Sequence, residues 1–276
     1  MKIVIPTYMR ESPERQKAYY NLPESIREKI IVTTHSGRGK ELQKANPTMN
    51  VHEFEGDLHI PKMRQAVMDL DEKVFMIDDQ CLFWKRDYQE EGKVKHIKLS
   101  TPEEYEQMFE EVEKELDNYF WVGMSPKSSN TLHKEVSRSE ITRSYSCYGL
   151  NRDTITNAGV RFTGLEEKAD DAKLLEDFYV LLAMFQKGHK NLVLHNWVFD
   201  HKHGTGGGNS VNRNNVTQDV SQRELIKAFP EFVTQYEKEN ASWVAEEGST
   251  NRTELRVQWK KAYSDPESGS LEGFFG

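Results

Sequence analysis

The residues best placed to do chemistry are acids at the ends of apolar runs. Val74-Phe75-Met76-Ile77 is apolar, bounded by charge, and ends on Asp78-Asp79, with Gln80 and Cys81 following. Such a run reads as a buried strand, and in an open parallel sheet ligands collect at the carboxyl ends of the strands. Asp78 and Asp79 there would offer hard oxygen ligands to Mg2+ or Mn2+, which in turn hold a diphosphate. A second acidic pair, Glu176-Asp177, sits early in an amphipathic stretch, and His201 and His203 follow it. Such a carboxylate pair could take a proton from an attacking group. Each feature also has a plain structural reading. Asp-Asp is a common turn after a strand, and an acid near a helix start gains about 0.3–1 kcal/mol from the dipole alone.

These residues need a frame. Lys2–Pro6 reads as a first strand, residues 14–20 as a helix, 28–33 as a strand and 39–44 as a short helix. Residues 51–54 form a weaker strand, and His59 opens a helix to Asp69 with Pro61 in its first turn. Strands alternating with helices imply an α/β fold with a parallel, doubly wound sheet. Right-handed crossovers then gather the strand ends on one edge.

Further on, Thr101-Pro102-Glu103-Glu104 has the form of a capping box ahead of a helix whose apolar face is Tyr105, Met108, Phe109, Val112 and Leu116. Residues 118–123, 145–150 and 159–162 read as strands, and 125–146 as a long polar loop. Residues 170–187 read as the best-patterned helix, with Leu174, Phe178, Leu181, Leu182 and Phe185 in one stripe. A strand at 191–198, a glycine-rich loop at 204–208, a helix at 221–240 with Leu225, Phe229, Phe232 and Tyr236 inward and broken or kinked by Pro230, and a strand at 255–259 complete the reading. The glycine run lacks the strand, Lys and Ser/Thr arrangement of a P-loop.

The chain has 276 residues, 36% of them hydrophobic, enough for a sizeable core. Residues 1–264 are expected to form one catalytic domain, with a nucleotide-binding half to residue 100, an acceptor-binding half from 101, and a polar tail from 265. No stretch approaches the ~20 apolar residues of a membrane span, and the opening residues turn polar too quickly for a signal peptide. Cys81 and Cys147 are the only cysteines, so a reducing, cytoplasmic compartment is expected. Net charge is −8, so any DNA contact must use a local basic patch. Lys187, Lys190, Lys202, Arg213, Arg223 and Lys227 offer one, with Lys127, Lys134, Arg138 and Arg143 in the long loop. Trp84 and Arg213 are the candidate acceptor contacts. Trp84, Trp121, Trp197 and Trp259 also suit core or pocket wall.

Taken in order, these features resemble the GT-A glycosyltransferases, especially their family 2-like branch. The turn Pro6-Thr7-Tyr8-Met9-Arg10 is similar to the one that cradles the nucleotide there. Ile60-Pro61-Lys62-Met63-Arg64 places Arg64 where the family brings an arginine to the diphosphate. Asp78-Asp79-Gln80 stands at the Asp-x-Asp motif but departs from it at Gln80, an amide. Leu175-Glu176-Asp177 matches the Glu-Asp motif whose Asp is the usual base. More narrowly, Asp-Asp-Gln-Cys, the Glu-Asp helix and the His-x-His, Gly-rich segment ending in Arg213 resemble the TET/JBP-associated glycosyltransferases, many of them from bacteriophages.

The resemblance implies a GT-A-like (Rossmann-like) mixed, mostly parallel sheet flanked by helices. Pro6, Thr7, Tyr8, Arg10, Arg64, Asp78 and Asp79 would bind a nucleotide-sugar, with UDP the expected nucleotide. Asp78, Asp79 and His203 would hold Mn2+ or Mg2+. The acceptor would be a hydroxymethylated pyrimidine in double-stranded DNA, in the host cytoplasm if the chain is phage-encoded. A glycan, lipid or protein acceptor on the same fold, and a non-catalytic nucleotide-sugar or DNA-binding module, are the alternatives.

Overall fold

The computed structural model describes residues 1–8, 10–89, 94–128, 138–200, 215–239 and 252–264. Short β-branched and apolar runs make the first strands, and helices link them: β1 (Lys2–Pro6), α1 (Lys17–Asn21), α2 (Glu24–Arg27), β2 (Ile30–His35), α3 (Gly39–Ala45), β3 (Asn50–Phe54), α4 (Ile60–Met68) and β4 (Lys73–Ile77). An antiparallel hairpin follows, β5 (Leu82–Tyr88) and β6 (Val94–Lys98), then α5 (Pro102–Glu115). Thr101 caps α5 through the expected box, its hydroxyl taking the Glu104 N–H while the Glu104 side chain reaches back. Next come β7 (Trp121–Pro126), β8 (Arg138–Glu140), β9 (Cys147–Asn151), α6 (Arg152–Asn157), α7 (Glu176–Gln186) and β10 (Leu192–Asp200). The described chain ends with α8 (Asn215–Ala228), β11 (Val233–Lys238) and β12 (Arg252–Val257).

One sheet runs through both halves, in the order β3-β2-β1-β4-β9-β7-β10-β5-β6, with β8 also on β10. Following the pairings, β1 to β4, β6, β7 and β10 point one way, and β5, β8 and β9 the other. The sheet is thus mixed and mostly parallel, as the sequence implies. The order β3-β2-β1-β4 is the parallel, doubly wound half, which delivers the carboxyl ends of β1, β2 and β4 to one edge. Burial covers both faces. Ile3, Ile5, Phe75 and Ile77 pack towards α5, and Val4, Val74 and Met76 towards α4 and α7. No helix among the described residues is long and apolar enough to cross a membrane.

Several local expectations fail, each for a physical reason. Residues 82–88 and 94–98, for which the sequence reading names no element, form the β5–β6 pair. Residues 159–162 are not a strand: α6 ends in a turn at Gly159, φ +68°, and a short 3-10 helix follows at Phe162–Gly164. The helix expected from 170 starts only at Glu176, because Leu175 is left-handed at φ 65°. The helix expected to run to 240 stops at Ala228. Beyond Pro230 the chain is strand β11, and Tyr236, expected inward, is 38% exposed. The helix expected at 14–20 is split into a 3-10 turn at Pro13–Arg15 and α1.

Candidate active site

The edge where β1 and β4 end carries two arginine–carboxylate arrangements. The first is a clamp. The Asp79 carboxylate accepts from the Thr7 hydroxyl at 3.0 Å and from Arg10. Gln16 donates to the Thr7 hydroxyl at 2.9 Å and to the Arg10 carbonyl, and the Asp79 carbonyl receives the Ala18 N–H at 2.9 Å. Gln80, where the resembling motif has a carboxylate, instead donates its amide to the Arg15 carbonyl. Asp79, Gln80 and Gln16 are all buried. Burial pushes the Asp79 carboxyl up to about 6; Arg10 opposes the shift and Asp78 adds to it. The clamp fastens the β1 turn and the start of α1 to the end of β4.

The second arrangement is a bridge. Arg64, on α4, reaches the Glu176 carboxylate at 2.5 Å with one guanidinium nitrogen, and its other terminal nitrogen lies 3.5 Å from Asp78. The three residues lie far apart in sequence, yet one guanidinium joins the end of β4 to the start of α7. Arg64 also lies 5.7 Å from the centre of the Tyr148 ring, which stacks on Trp121 at 3.9 Å. Burial raises the Glu176 carboxyl to about 7; Arg64 works against the shift, and Asp177 and Asp78 reinforce it. Asp177 lies beside Glu176 at the helix start, where the Phe178 N–H donates to its carboxylate at 3.0 Å. The backbone around the bridge is unusual. Leu175 and Ser146 are non-glycine residues with φ of 65° and 64°, and the Ser146 carbonyl receives the Asp78 N–H at 2.8 Å.

Of the expected site residues, Thr7, Arg10 and Asp79 thus meet in the clamp, and Arg64, Asp78 and Glu176 in the bridge, with Asp177 adjoining. Pro6 ends β1, and Tyr8 stacks on His35 of β2, ring centres 4.7 Å apart. Trp84 lies on β5 with the Lys127 ammonium 4.1 Å from its ring centre, beside Asp200 rather than beside the bridge. His201, His203 and Arg213 lie outside the described residues, as do Lys134, Lys202 and Met9. The expected basic rim is largely answered by acids. Lys190 lies 3.3 Å from Glu140, Arg138 3.2 Å from Glu115, Lys227 2.6 Å from Glu224 and Lys127 3.9 Å from Asp200.

Sequence reasoning misses Tyr148, Ser146 and the role of Arg143. The first two belong to β9 and its approach. β9 runs antiparallel beside β4, so Cys147 is opposite Ile77 and its neighbours flank the acids. Arg143 packs over the Tyr145 and Phe178 rings at 4.6 and 4.8 Å, next to Asp177. The run Tyr145-Ser-Cys-Tyr148 is visible in the sequence, but nothing in it tells which strand it joins.

Among the described residues no group of three His, Cys, Asp or Glu side chains gathers to hold a metal. Asp79 is engaged by Arg10 and Thr7, and Asp78, 38% exposed at its side chain, is the open carboxylate. One open carboxylate suits a divalent cation that takes its other ligands from a diphosphate and water, the usual habit of Mg2+ at phosphate sites.

No family model matches the chain, and no curated protein matches it. Solved structures do. GalNAc-T7 with UDP, GalNAc and Mn2+ is similar at a TM-score of 0.44 and 10% identity, over 82% of this chain and 47% of that one. This chain therefore spans about half the length of that neighbour. The inositol-1-phosphate CTP transferase from T. maritima matches at 0.43 and 10% identity, over 82% of this chain and 96% of that one. The 4-diphosphocytidyl-2C-methyl-D-erythritol synthase from Anaerococcus prevotii DSM 20548 matches at 0.39 and 11%, over 80% and 94%. At these scores the likenesses carry no weight for activity, which has to be read from the geometry of the site.

Proposed function

We propose that the chain is a glycosyltransferase that moves a sugar from a nucleotide-sugar, with UDP the first donor to test, to an acceptor hydroxyl. The observation that supports this most directly is the Arg64 bridge. It puts a fixed cation, an open strand-end carboxylate and the Glu176-Asp177 pair at one point of the sheet edge. The Tyr8–His35 stack at the ends of β1 and β2 would seat the base, with Pro6 and Thr7 shaping its turn. Arg64 would turn from Glu176 to the diphosphate as the donor enters, and Arg10, held by Asp79, would stay near it as a second cation. A divalent ion on Asp78, with His203 as a further ligand, would neutralise charge on the leaving nucleotide. Asp177 would accept the proton of the attacking hydroxyl, while Glu176 holds Arg64 in place until the donor arrives.

The finer reading names a hydroxymethylated pyrimidine in double-stranded DNA as the acceptor, with Trp84 and Arg213 contacting it. It rests on the narrower sequence resemblance. A methylene-linked hydroxyl on a pyrimidine protrudes into the major groove, so full base flipping is not required.

The test is thermal melting against UDP, GDP, CDP, ADP and TDP, each with and without Mn2+. A ligand at 100 times its dissociation constant raises the midpoint of a chain this size by roughly 5–10 °C. A Mn2+-dependent shift with one nucleotide is expected, followed by sugar transfer to hydroxymethylated DNA but not to unmodified DNA. No shift with any nucleotide would overturn the donor reading. Donor turnover with glycan, lipid or protein acceptors alone would overturn the DNA reading and leave the donor site standing.

A further inference from the structure

Arg86 is a buried cation that no described acid answers. It lies on β5 and is 7% exposed, yet its Nε and one terminal nitrogen donate to nothing among the described residues. No described carboxylate lies in an ion pair with it, unlike its neighbour Lys85, which reaches Glu104 at 2.7 Å from the opposite face of the strand. The groups around it are donors or cations. His96 faces it across the hairpin, and Tyr88 is the next residue on its own face. The Tyr88 hydroxyl stands at the Arg86 guanidinium, and neither it nor His96 Nε2 has any other partner among the described residues. His195 and His96 both feel its positive charge, and Lys127 acts on His96 as well. Burial pulls the Arg86 guanidinium below its usual range, and Tyr88 offsets this only in part.

A guanidinium keeps its charge at any working pH. Charge desolvated without a counter-charge is unfavourable, so proteins pair buried charges or use them to bind something. A planar fork of N–H donors fits two oxygens of a phosphate at once. Here a phenol and an imidazole stand beside the fork, each with unused hydrogen-bonding capacity, which suits an anion with more oxygens than a carboxylate has. We propose that Arg86, with Tyr88 and His96, forms a binding site for a phosphate group.

The site is separate from the bridge. β5 leaves the catalytic edge at Leu82, which pairs with Asp200, and at about 3.3 Å per residue Arg86 lies roughly 13 Å further along the strand. Trp84 and Lys127 lie between the two. A phosphate here would be a second anion beyond the donor diphosphate, supplied either as free phosphate or as part of a phosphodiester. Its binding does not depend on sugar transfer.

Inorganic phosphate is the probe, titrated at constant ionic strength while melting and tryptophan fluorescence are followed. Saturable stabilisation of the wild type is expected, reaching roughly 5–10 °C at 100 times the dissociation constant. Arg86→Gln should lose it while keeping the wild-type response to nucleotides. Without phosphate, Arg86→Gln should melt at or above the wild type, because a buried charge that no described acid answers has gone. Arg86→Lys should keep a weaker response, since it keeps the charge and loses the fork. No phosphate response in the wild type, or an equal response in Arg86→Gln, overturns the proposal. So does an Arg86→Gln chain that fails to fold, because a charge answered only by a ligand can be removed without loss. Competition between phosphate and a short DNA duplex in the wild type, absent in Arg86→Gln, assigns the phosphate to a phosphodiester; saturable phosphate binding without competition assigns it to the free ion.

Discussion

The clamp and the bridge are built from the same parts at the same sheet edge, yet they are satisfied differently. In the clamp, Asp79 receives both Thr7 and Arg10, and Gln16 ties those two residues to each other. In the bridge, one guanidinium is divided between Glu176 and Asp78, with the further charge of Asp177 alongside and a buried Tyr148 hydroxyl that has no partner among the described residues. An acid held by two donors at once is fixed in place, whereas a guanidinium divided between two acids can exchange a partner at small cost. The difference teaches which acid to assign to structure and which to chemistry. Asp79 holds the turn after β1 in shape, and on the proposed function the Glu176-Asp177 corner is where a substrate would enter the network.

The largest effect that tests this contrast is on turnover. Asp177→Asn should cut sugar transfer by about 10²–10⁴-fold, the usual contribution of a positioned base, while the nucleotide-induced melting shift survives. Asp79→Asn should act the other way, lowering stability by about 1–3 kcal/mol through the lost charge-assisted bond while the turnover of the folded enzyme stays closer to the wild type. Steady-state kinetics and melting on both variants decide it. Full activity in Asp177→Asn would remove the base from its role.

Next in size is donor affinity. Arg64→Lys keeps the charge and loses the fork, so once turned to the donor it cannot hold two diphosphate oxygens at once. At about 1.5–3 kcal/mol for a charge-assisted bond, donor affinity should fall roughly 10–100-fold. Arg10→Lys should weaken donor binding less and lower the melting midpoint more. Equal losses of affinity would mean that the clamp and the bridge share one job.

This contrast is only partly legible in the chain. The parallel half can be read because β1, β2 and β4 are short apolar runs with helices between them, and because Thr101 and Glu104 spell out their own cap. The hairpin β5–β6 is hidden because its strands put Lys85 and Arg86 on opposite faces of a half-buried ribbon. β11 reads as helix because Leu225, Phe229, Phe232 and Tyr236 keep a helical spacing across Pro230, although only the first two are fully buried at the end of α8. The acids of the site are visible as motifs. Their division into clamp and bridge is not, because it depends on α4 and α7 meeting over the sheet, and no local pattern reports that meeting. Burial decides the rest, by raising both Asp79 and Glu176 above the ordinary carboxyl range.

Those two shifts give a pH test. The ordinary carboxyl value of Glu176 is 4.5 and its folded value about 7; for Asp79 they are 3.8 and about 6. Between each pair of values the folded chain binds more protons than the unfolded one, so stability falls as pH rises. The wild-type melting midpoint should decline from about pH 4 to 7. Glu176→Gln and Asp79→Asn should each remove part of that decline. Protonating Glu176 also frees Arg64, so nucleotide diphosphate should bind the wild type more tightly below about pH 7 than above it. In Glu176→Gln that dependence should vanish. A dependence that persists there would place the titrating group elsewhere.

The smallest effect concerns backbone strain, which separates the two arrangements once more. Ile141, Ser146 and Leu175 are the non-glycine residues with positive φ among those described, and the last two flank the bridge while none flanks the clamp. A left-handed L-residue costs about 1–2 kcal/mol, and such strain persists where the surroundings over-determine it, often at functional sites. Ser146 is the cleaner test, because its side chain is small and glycine leaves little space behind, whereas Leu175 also packs apolar surface. Ser146→Gly should gain up to about 1 kcal/mol after the greater freedom of glycine in the unfolded chain is counted, or roughly 2–4 °C in melting midpoint. The Ser146 carbonyl that receives the Asp78 N–H is backbone and remains, so nucleotide binding should persist. A gain in stability joined to a loss of turnover would mean that the strain itself holds Asp78 against Arg64. A gain with turnover unchanged would mean that the turn only has to be reached, and that the bridge is set by Arg64 and Glu176 alone.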